Sequence, residues 1–382
     1  MRAITASTNE FDATLAAAEL IVACTQQLDG ARPVAAFLFA STDLDHAQLL
    51  AALAAHWPDL PLVGGTTDGT LSSQGFAHDG AVLTLLVGAG LRARVGLGRE
   101  LSKDPEAAVT AALREAGEQP RLCWTVFAPS TNSTAVVRAL QRGVGVDCPV
   151  VGGLSGDHRE YSRMVEFCGT EVLHDSLPVM FLSGELRVGF GVGTGWFPSG
   201  EPMTVTKADG HWVREIYGRP ALHIFQDYWG AIPASDSLGE YPLAVFPDGD
   251  DGDYHLRAVL DANRDDGSLR VAGEVRQGAR VRLTEVVQEG ILAGSMTSAA
   301  NAAAAYPGNE PMLAFVFSCA ARKWVLGTKA QHEIELLRAA FQQAGIAPLV
   351  AGGYCFGEIA PPRANAASEF HNETCVTVLL GR

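Results

Sequence analysis

The chain has 382 residues, 47% of them hydrophobic and 19% charged, with 41 glycines and a formal net charge of −15. That length exceeds the roughly 100–200 residues of a typical domain, so two domains or repeated units are expected, and the hydrophobic share argues against disorder. Twenty-eight Lys and Arg against 43 Asp and Glu leave no basic footprint for a nucleic-acid backbone or an anionic membrane surface.

Met1 to Glu10 lacks a basic segment followed by an apolar run, and no apolar stretch reaches the roughly 18 residues of a membrane helix, so a cytoplasmic location is expected. Residues 1–29 read as an N-terminal helical region. Next, the apolar run Val34–Phe39 predicts a buried strand, the stretch Asp45–Ala55 a helix, and Pro61-Leu-Val-Gly-Gly-Thr-Thr-Asp-Gly69 a glycine turn. Ala81–Val87 and Leu91–Leu97 read as a hairpin. The same order returns with strand Leu122–Phe127, helix Ser133–Arg142, the turn Pro149-Val-Val-Gly-Gly-Leu-Ser-Gly-Asp157, and a hairpin of Leu177–Leu182 with Leu186–Val192.

Pro220–Tyr228 is helix-like, and Tyr241–Phe246 with Tyr254–Leu260 reads as a further hairpin, which suggests a reduced fourth unit near residues 205–310 and hence two related halves. Asp248–Asp253 lacks the glycine and distal glutamate of a calcium loop and reads as a solvated hairpin loop. A third full unit follows: strand Met312–Phe317, helix Gln331–Ala344, the turn Pro348-Leu-Val-Ala-Gly-Gly-Tyr-Cys-Phe-Gly-Glu358, and a closing strand Thr374–Leu380. Together these predict an α/β fold of mixed, largely antiparallel layered sheets with helices outside, a four-layer α/β/β/α stack being the preferred form.

Glycine pairs at strand ends let backbone amides approach a ligand, and a following carboxylate can accept hydrogen bonds from it. Gly65, Thr66, Gly153, Ser155 and Asp157 are therefore secondary candidates, although a tight turn explains each equally simply. Neither a P-loop nor a G-x-G-x-x-G fingerprint is present. The third turn is the most polar, and Cys319, Arg322, Gly353, Tyr354, Glu358, His371, Asn372 and Thr374 are the candidate ligand-binding residues. Arg322 suits a ligand carboxylate, or else an internal ion pair with Glu358. Cys319 with His371, oriented by Glu358 or Asn372, would make an amidase-like enzyme, although no nucleophile-elbow pattern surrounds the cysteine.

The ten histidines show no H-x-x-x-H or H-E-x-x-H spacing for zinc. An axial haem ligand leaves no spacing, so His158, His211, His223 and His371 stay as candidates for one. The seven cysteines, Cys24, Cys123, Cys148, Cys168, Cys319, Cys355 and Cys375, form no C-x-x-C pair and are expected to be reduced, buried thiols.

Phe317-Ser-Cys-Ala-Ala-Arg322, Gly352-Gly-Tyr-Cys-Phe-Gly-Glu-Ile359 and Glu369-Phe-His-Asn-Glu-Thr374 resemble the signature segments of the FIST C domain. Val63-Gly-Gly-Thr-Thr67, Val151-Gly-Gly-Leu-Ser-Gly-Asp157 and Glu215-Ile-Tyr-Gly-Arg-Pro-Ala221 resemble those of the FIST N domain. The resemblance implies a FIST N-like domain at 30–220, a FIST C-like domain at 221–382, and a sensory module for a small ligand that is not an enzyme. Some stand-alone members of that family, the NosP type, are haem-binding nitric oxide sensors acting on histidine kinases or cyclic-di-GMP signalling, so the resemblance leaves haem open as a cofactor. No kinase, cyclase or methyl-accepting segment is legible in the 382 residues, so a separate signalling partner such as a histidine kinase is expected.

Overall fold

A computed structural model describes residues 1–117, 119–233, 237–246 and 252–382. Four of its helices start where short polar side chains take up free backbone amides. Asp12 accepts from the amides of Thr14 and Leu15, Asp45 from Gln48, Asp104 from Ala107, and Asn132 from Ala135. Between them, short apolar strands need neighbours on both edges, and three repeats of one pattern supply them.

The first repeat runs β1 (Arg2–Thr8), α1 (Ala13–Leu28), β2 (Ala35–Ala40), α2 (His46–His56), β3 (Leu62–Thr66), β4 (Thr70–Ser72), β5 (Gly75–Ala77) and β6 (Ala81–Val87). The second runs β7 (Leu91–Gly98), α3 (Pro105–Leu113), β8 (Leu122–Phe127), α4 (Ser133–Val144), β9 (Val150–Leu154), β10 (Glu166–Cys168), β11 (Glu171–Leu173) and β12 (Leu177–Gly184). The third opens with β13 (Arg187–Thr194) and is interrupted by an inserted β domain. That domain comprises β14 (Trp196–Asp209), β15 (Trp212–Ile216), β16 (Arg219–Pro220), α5 (His223–Trp229), β17 (Leu243–Phe246), β18 (His255–Arg257), β19 (Val259–Ala262), β20 (Leu269–Val271) and β21 (Arg280–Val286). The repeat resumes with α6 (Gln288–Ala305), β22 (Pro311–Cys319), α7 (Ala320–Leu326), α8 (Ala330–Gln343), β23 (Leu349–Cys355), β24 (Glu358–Ala360), β25 (Glu369–His371) and β26 (Thr374–Gly381).

Three six-stranded sheets result, in the orders β1-β6-β2-β3-β10-β11, β7-β12-β8-β9-β24-β25 and β13-β26-β22-β23-β4-β5. The orders are equivalent. In each sheet the two middle strands joined by a helix are parallel, as a crossover connection requires. The two short strands that follow each glycine turn leave for the sheet of another repeat, so the three repeats are mutually interlocked.

The three sheets turn one face to a common core. Phe37 on β2, Trp124 on β8 and Phe315 on β22 meet there with ring centroids 4.9 Å (Phe37–Trp124), 4.9 Å (Phe37–Phe315) and 5.9 Å (Trp124–Phe315) apart. Helices cover the outer faces, α1 and α2 on the first sheet, α3 and α4 on the second, α6 and α8 on the third. The mixed α/β class with outer helices is therefore observed. In place of four stacked layers, however, three sheets surround one core, because three equivalent inner faces need three-way burial.

The strand pairs at 81–97 and 177–192 are not hairpins. β6 pairs with β1 and β2 while β7 pairs with β12, and β13 leaves β12 to pair with β26. The cause is burial: β6 and β12 are covered on both faces and need two neighbours, whereas β7 and β13 alternate and serve as edges. β17 and β18 do pair as an antiparallel ladder. Their surroundings are not a fourth repeat, because β14 to β21 form an eight-stranded, wholly antiparallel sheet without a parallel crossover pair among the described residues. The Asp248–Asp253 loop lies outside the described residues up to 251; Asp253 is exposed and 2.9 Å from Arg363. Residues 1–29 contain α1 and also the edge strand β1, and no helix among the described residues is long and apolar enough to cross a membrane.

Candidate functional site

The three glycine turns meet where the repeats interlock. A Cβ on the first glycine of each pair would lie 1.9 Å (Gly64), 1.7 Å (Gly152) or 1.9 Å (Gly352) from a carbonyl oxygen of the neighbouring parallel strand. A Cβ on the second would meet the next repeat: Gly65 faces Ser155 Oγ at 3.0 Å, Gly153 faces Cys355 Sγ at 2.8 Å, and Gly353 faces Thr67 Oγ1 at 2.2 Å. Backbone bonds close the ring, since Gly156 N–H donates to Thr66 O, Phe356 N–H to Leu154 O, and Asp68 N–H to Tyr354 O. Gly65, Thr66, Gly153, Ser155 and Gly353 thus stand together as a clasp between repeats, and the glycine pairs are accounted for by close backbone approach.

Tyr354 and Arg322 belong to a closed polar cluster beneath the clasp. Arg322, fully buried, lies 2.8 Å from Glu333 and donates also to Ser318, Ser295 and the Ile291 carbonyl. The Tyr354 hydroxyl donates to the second oxygen of Glu333. The expected Arg322–Glu358 pair is therefore replaced by Arg322–Glu333. Arg322 is not positioned to clamp an incoming carboxylate, because a buried carboxylate already matches its charge. Glu333 was detectable in principle: it sits among Ala330, Ile334, Leu337 and Ala340 on the buried face of α8, a charge on an apolar stripe.

Beside this cluster lies a second one, short of partners. Glu358 on β24 accepts from the Thr374 hydroxyl at 2.6 Å and its amide at 3.2 Å through Oε2, but Oε1 has no hydrogen-bond partner. Asn372 Oδ1 and both carboxyl oxygens of Glu373, on the turn between β25 and β26, likewise find no partner of ordinary geometry, with the Cys319 thiol a weak donor beside Glu373. All three side chains are at most 1% exposed. Burial pushes the Glu373 carboxyl up to about 8 and raises Glu358 well above the carboxylate range, with the neighbouring Glu373 adding to it.

This acid cluster sits at the junction with the inserted domain. Cys319 packs with Ala244, Phe246 and Leu256 of that domain, Glu373 faces Glu240, and Thr194 donates to the Glu373 carbonyl. A loop after the second glycine turn reaches the same junction through Glu240. Asp157 gathers the amides of Tyr161, Ser162 and Arg163, and His158, Arg159 and Tyr161 hold left-handed backbone at φ 57°, 69° and 54°. Arg159 stacks 3.7 Å over Trp324 and pairs with Glu240 at 2.7 Å, while Tyr161 lies against Phe356.

Asp68, absent from the sequence-derived candidates, anchors the same region. It lies 3.1 Å from His158 Nδ1 and 3.0 Å from Lys323 Nζ, and accepts from Trp324 Nε1 at 2.8 Å. Burial opposes its charge, but His158 and Lys323 hold its carboxyl below the ordinary value. Lys323 and Trp324 could have been suspected only from their place directly after Arg322.

Cys319 and His371 do not have each other among their partners. His371 Nε2 is 2.9 Å from the Ala360 carbonyl, and burial lowers the ring to about 4; the same burial drives the Cys319 thiol well above its usual range. A buried thiol without an imidazole is inert, so the amidase arrangement is not formed.

The remaining histidines are dispersed. His158 is engaged by Asp68, His211 lies near Trp212, and His223 is exposed at the rim of a cavity of about 260 Å³ in the inserted domain. Ile216, Tyr217, Arg219 and Pro220 line that cavity. It falls a little below the roughly 300–1,000 Å³ of ordinary small-molecule sites. Among the described residues no group of three or more His, Cys, Asp or Glu is arranged to hold a metal ion.

The FIST N domain matches residues 34–219, and the FIST C domain matches residues 221–361. The chain belongs to the FIST family. FIST domains are signal-transduction sensor domains. Curated relatives include an uncharacterized protein of Mycobacterium tuberculosis, 29% identical over 220 residues covering 56% of each chain. An uncharacterized protein of Mycobacterium bovis is 28% identical over 220 residues, covering 56% of this chain and 55% of its own. The chain thus spans about half the length of the curated relatives it matches. Among solved structures, PurLQS from Thermotoga maritima aligns at TM-score 0.25 and 14% identity, covering 99% of this chain and 72% of that one. T. maritima PurL complexed with FGAR aligns at TM-score 0.26 and 12% identity, with the same coverage. At those scores neither likeness bears on this FIST protein's architecture or function.

Proposed function

We propose that this FIST protein is a sensor, not an enzyme. In this reading it holds a small ligand on the acid cluster of Glu358, Asn372 and Glu373, and occupancy alters the junction with the inserted domain and is read by a separate signalling protein, a histidine kinase being the candidate class. One observation carries it: carboxyl and amide oxygens at most 1% exposed lack partners at a domain boundary, although buried polar groups are ordinarily satisfied and ligands favour such boundaries. A cytoplasmic location fits the seven unpaired thiols.

Thermal-shift screening of small metabolites tests this, since a ligand that binds only the folded state must raise the melting temperature. Stabilisation by a saturable ligand, weakened by Glu358→Gln and accompanied by hydrogen-exchange protection of residues 157–163, 243–246 and 252–257, is expected. Substrate turnover abolished by Cys319→Ala would overturn the sensor reading in favour of catalysis.

A further inference from the structure

Three fully buried carboxyls, Glu333, Glu358 and Glu373, share one buried guanidinium, Arg322. Arg322 is matched by Glu333 at 2.8 Å, so two carboxyls stand in excess. The other groups facing them supply no cation. Glu358 faces Glu373 and the thiols of Cys319, Cys355 and Cys375, while Glu373 faces Cys319 and Glu240, the latter already paired with Arg159. Lys323, next to Arg322 in sequence, is held by Asp68. The unpartnered atoms there are all acceptors apart from Arg322 Nη1: Glu358 Oε1, Asn372 Oδ1 and both oxygens of Glu373. Arg322 Nη1 is a donor, but the guanidinium's charge is already matched by Glu333, so two ways remain to balance the excess carboxyls: protons on them, or a further cation between them.

Resting on the sensor reading above, we infer that the ligand is an organic cation bearing a primary ammonium group, which donates to Glu358 Oε1, Asn372 Oδ1 and Glu373 and takes the place of one proton that this pair of carboxyls shares in the free protein. The exchange balances: one carboxyl ionises and returns its proton to solvent, and the ammonium's single positive charge takes that proton's place. A ligand carboxylate next to the ammonium would meet Glu358 and Glu373, because the charge of Arg322 is already matched, so simple amines outbind α-amino acids. Tyr161 and Arg159, on the left-handed loop that reaches Phe356, Trp324 and Glu240, are the nearest movable groups of the junction in this reading.

Isothermal titration at pH 7 in two buffers of different protonation enthalpy tests this on the whole protein, with putrescine and ethanolamine as probes and butane-1,4-diol and succinate as neutral and anionic counterparts. An amine should bind with release of about one proton for the ammonium seated, and the release should shrink at pH 9. Glu373→Gln, which keeps a neutral isostere, should lower amine affinity at least about tenfold, since a charged hydrogen bond is lost, and remove about one released proton. Amine binding without proton release, or saturable binding of diol or succinate with none of amine, overturns the cation assignment and leaves the sensor reading intact. If no probe binds and the thermal-shift screen is also blank, both fall together.

Discussion

Removing Glu333 should be the most damaging single change beneath the glycine clasp. Its Oε1 takes Arg322 Nη2 at 2.8 Å, Arg322 Nε at 3.1 Å, Ser295 Oγ at 2.7 Å and Ser318 Oγ at 3.0 Å, and its Oε2 takes the Tyr354 hydroxyl. Glu333→Ala strands a guanidinium with no exposure, and breaking a buried ion pair costs about 3–5 kcal/mol. The orphaned Tyr354 hydroxyl adds about 1–3 kcal/mol. Against a total stability of roughly 5–15 kcal/mol for a folded domain, that is close to loss of the native state. The double change Arg322→Met with Glu333→Gln removes both charges but keeps an acceptor for Tyr354, and should recover most of the deficit. Urea unfolding followed by tryptophan fluorescence reads this, because Trp124 and Trp196 are fully buried. A Glu333→Ala penalty under about 1 kcal/mol, or a double variant as weak as the single, would refute a charge-matched cluster.

Gly353→Ala should destabilise by about 1–3 kcal/mol through overpacking, since its Cβ falls 2.2 Å from Thr67 Oγ1 and 2.9 Å from the Gly69 carbonyl; Gly252→Ala, with open space around it, is the neutral control in parallel melts. The melting temperature should decline as pH rises from 4.5 to about 8: Glu373 and Glu166, ordinarily near 4.5, are pushed up to about 8 by burial, so their contribution is full below 4.5 and is lost as pH rises through 8. Glu373→Gln and Glu166→Gln should each flatten part of that decline. On the acid side, His371, lowered from 6.5 to about 4, favours the folded state above 6.5 and gives up that contribution as pH falls toward 4. Under native conditions the thiols should resist Ellman's reagent, with half-buried Cys168 reacting first despite a thiol raised to about 11, and all seven reacting in urea; fast native labelling of Cys319 would contradict its burial.

Local patterns were legible from the chain alone. Val34–Phe39, Leu122–Phe127 and Met312–Phe317 became β2, β8 and β22, and the periodic stretches after them became α2, α4 and α8, because strand and helix periodicities depend on residues within a few positions of one another. The glycine pairs were visible for the same reason, and the order of FIST segments followed from them. What the pairs do was not visible. Gly353 is small because Thr67, 286 positions away in the chain, comes to lie against it.

Partner choice was decided by tertiary structure throughout. Leu91–Leu97 looked like the return strand of a hairpin, yet β7 pairs with β12 because β6 needed two covering neighbours and β7 needed only one. Arg322 found Glu333 rather than Glu358 because α8 carries a carboxylate to it across the buried face of the third sheet. Glu358 and Glu373 were left without a cation for the same reason. Residue type sets which groups must be paired when buried, but the pairing itself is a property of positions far apart in the chain, and only the interlocked packing of the three sheets brings those positions together.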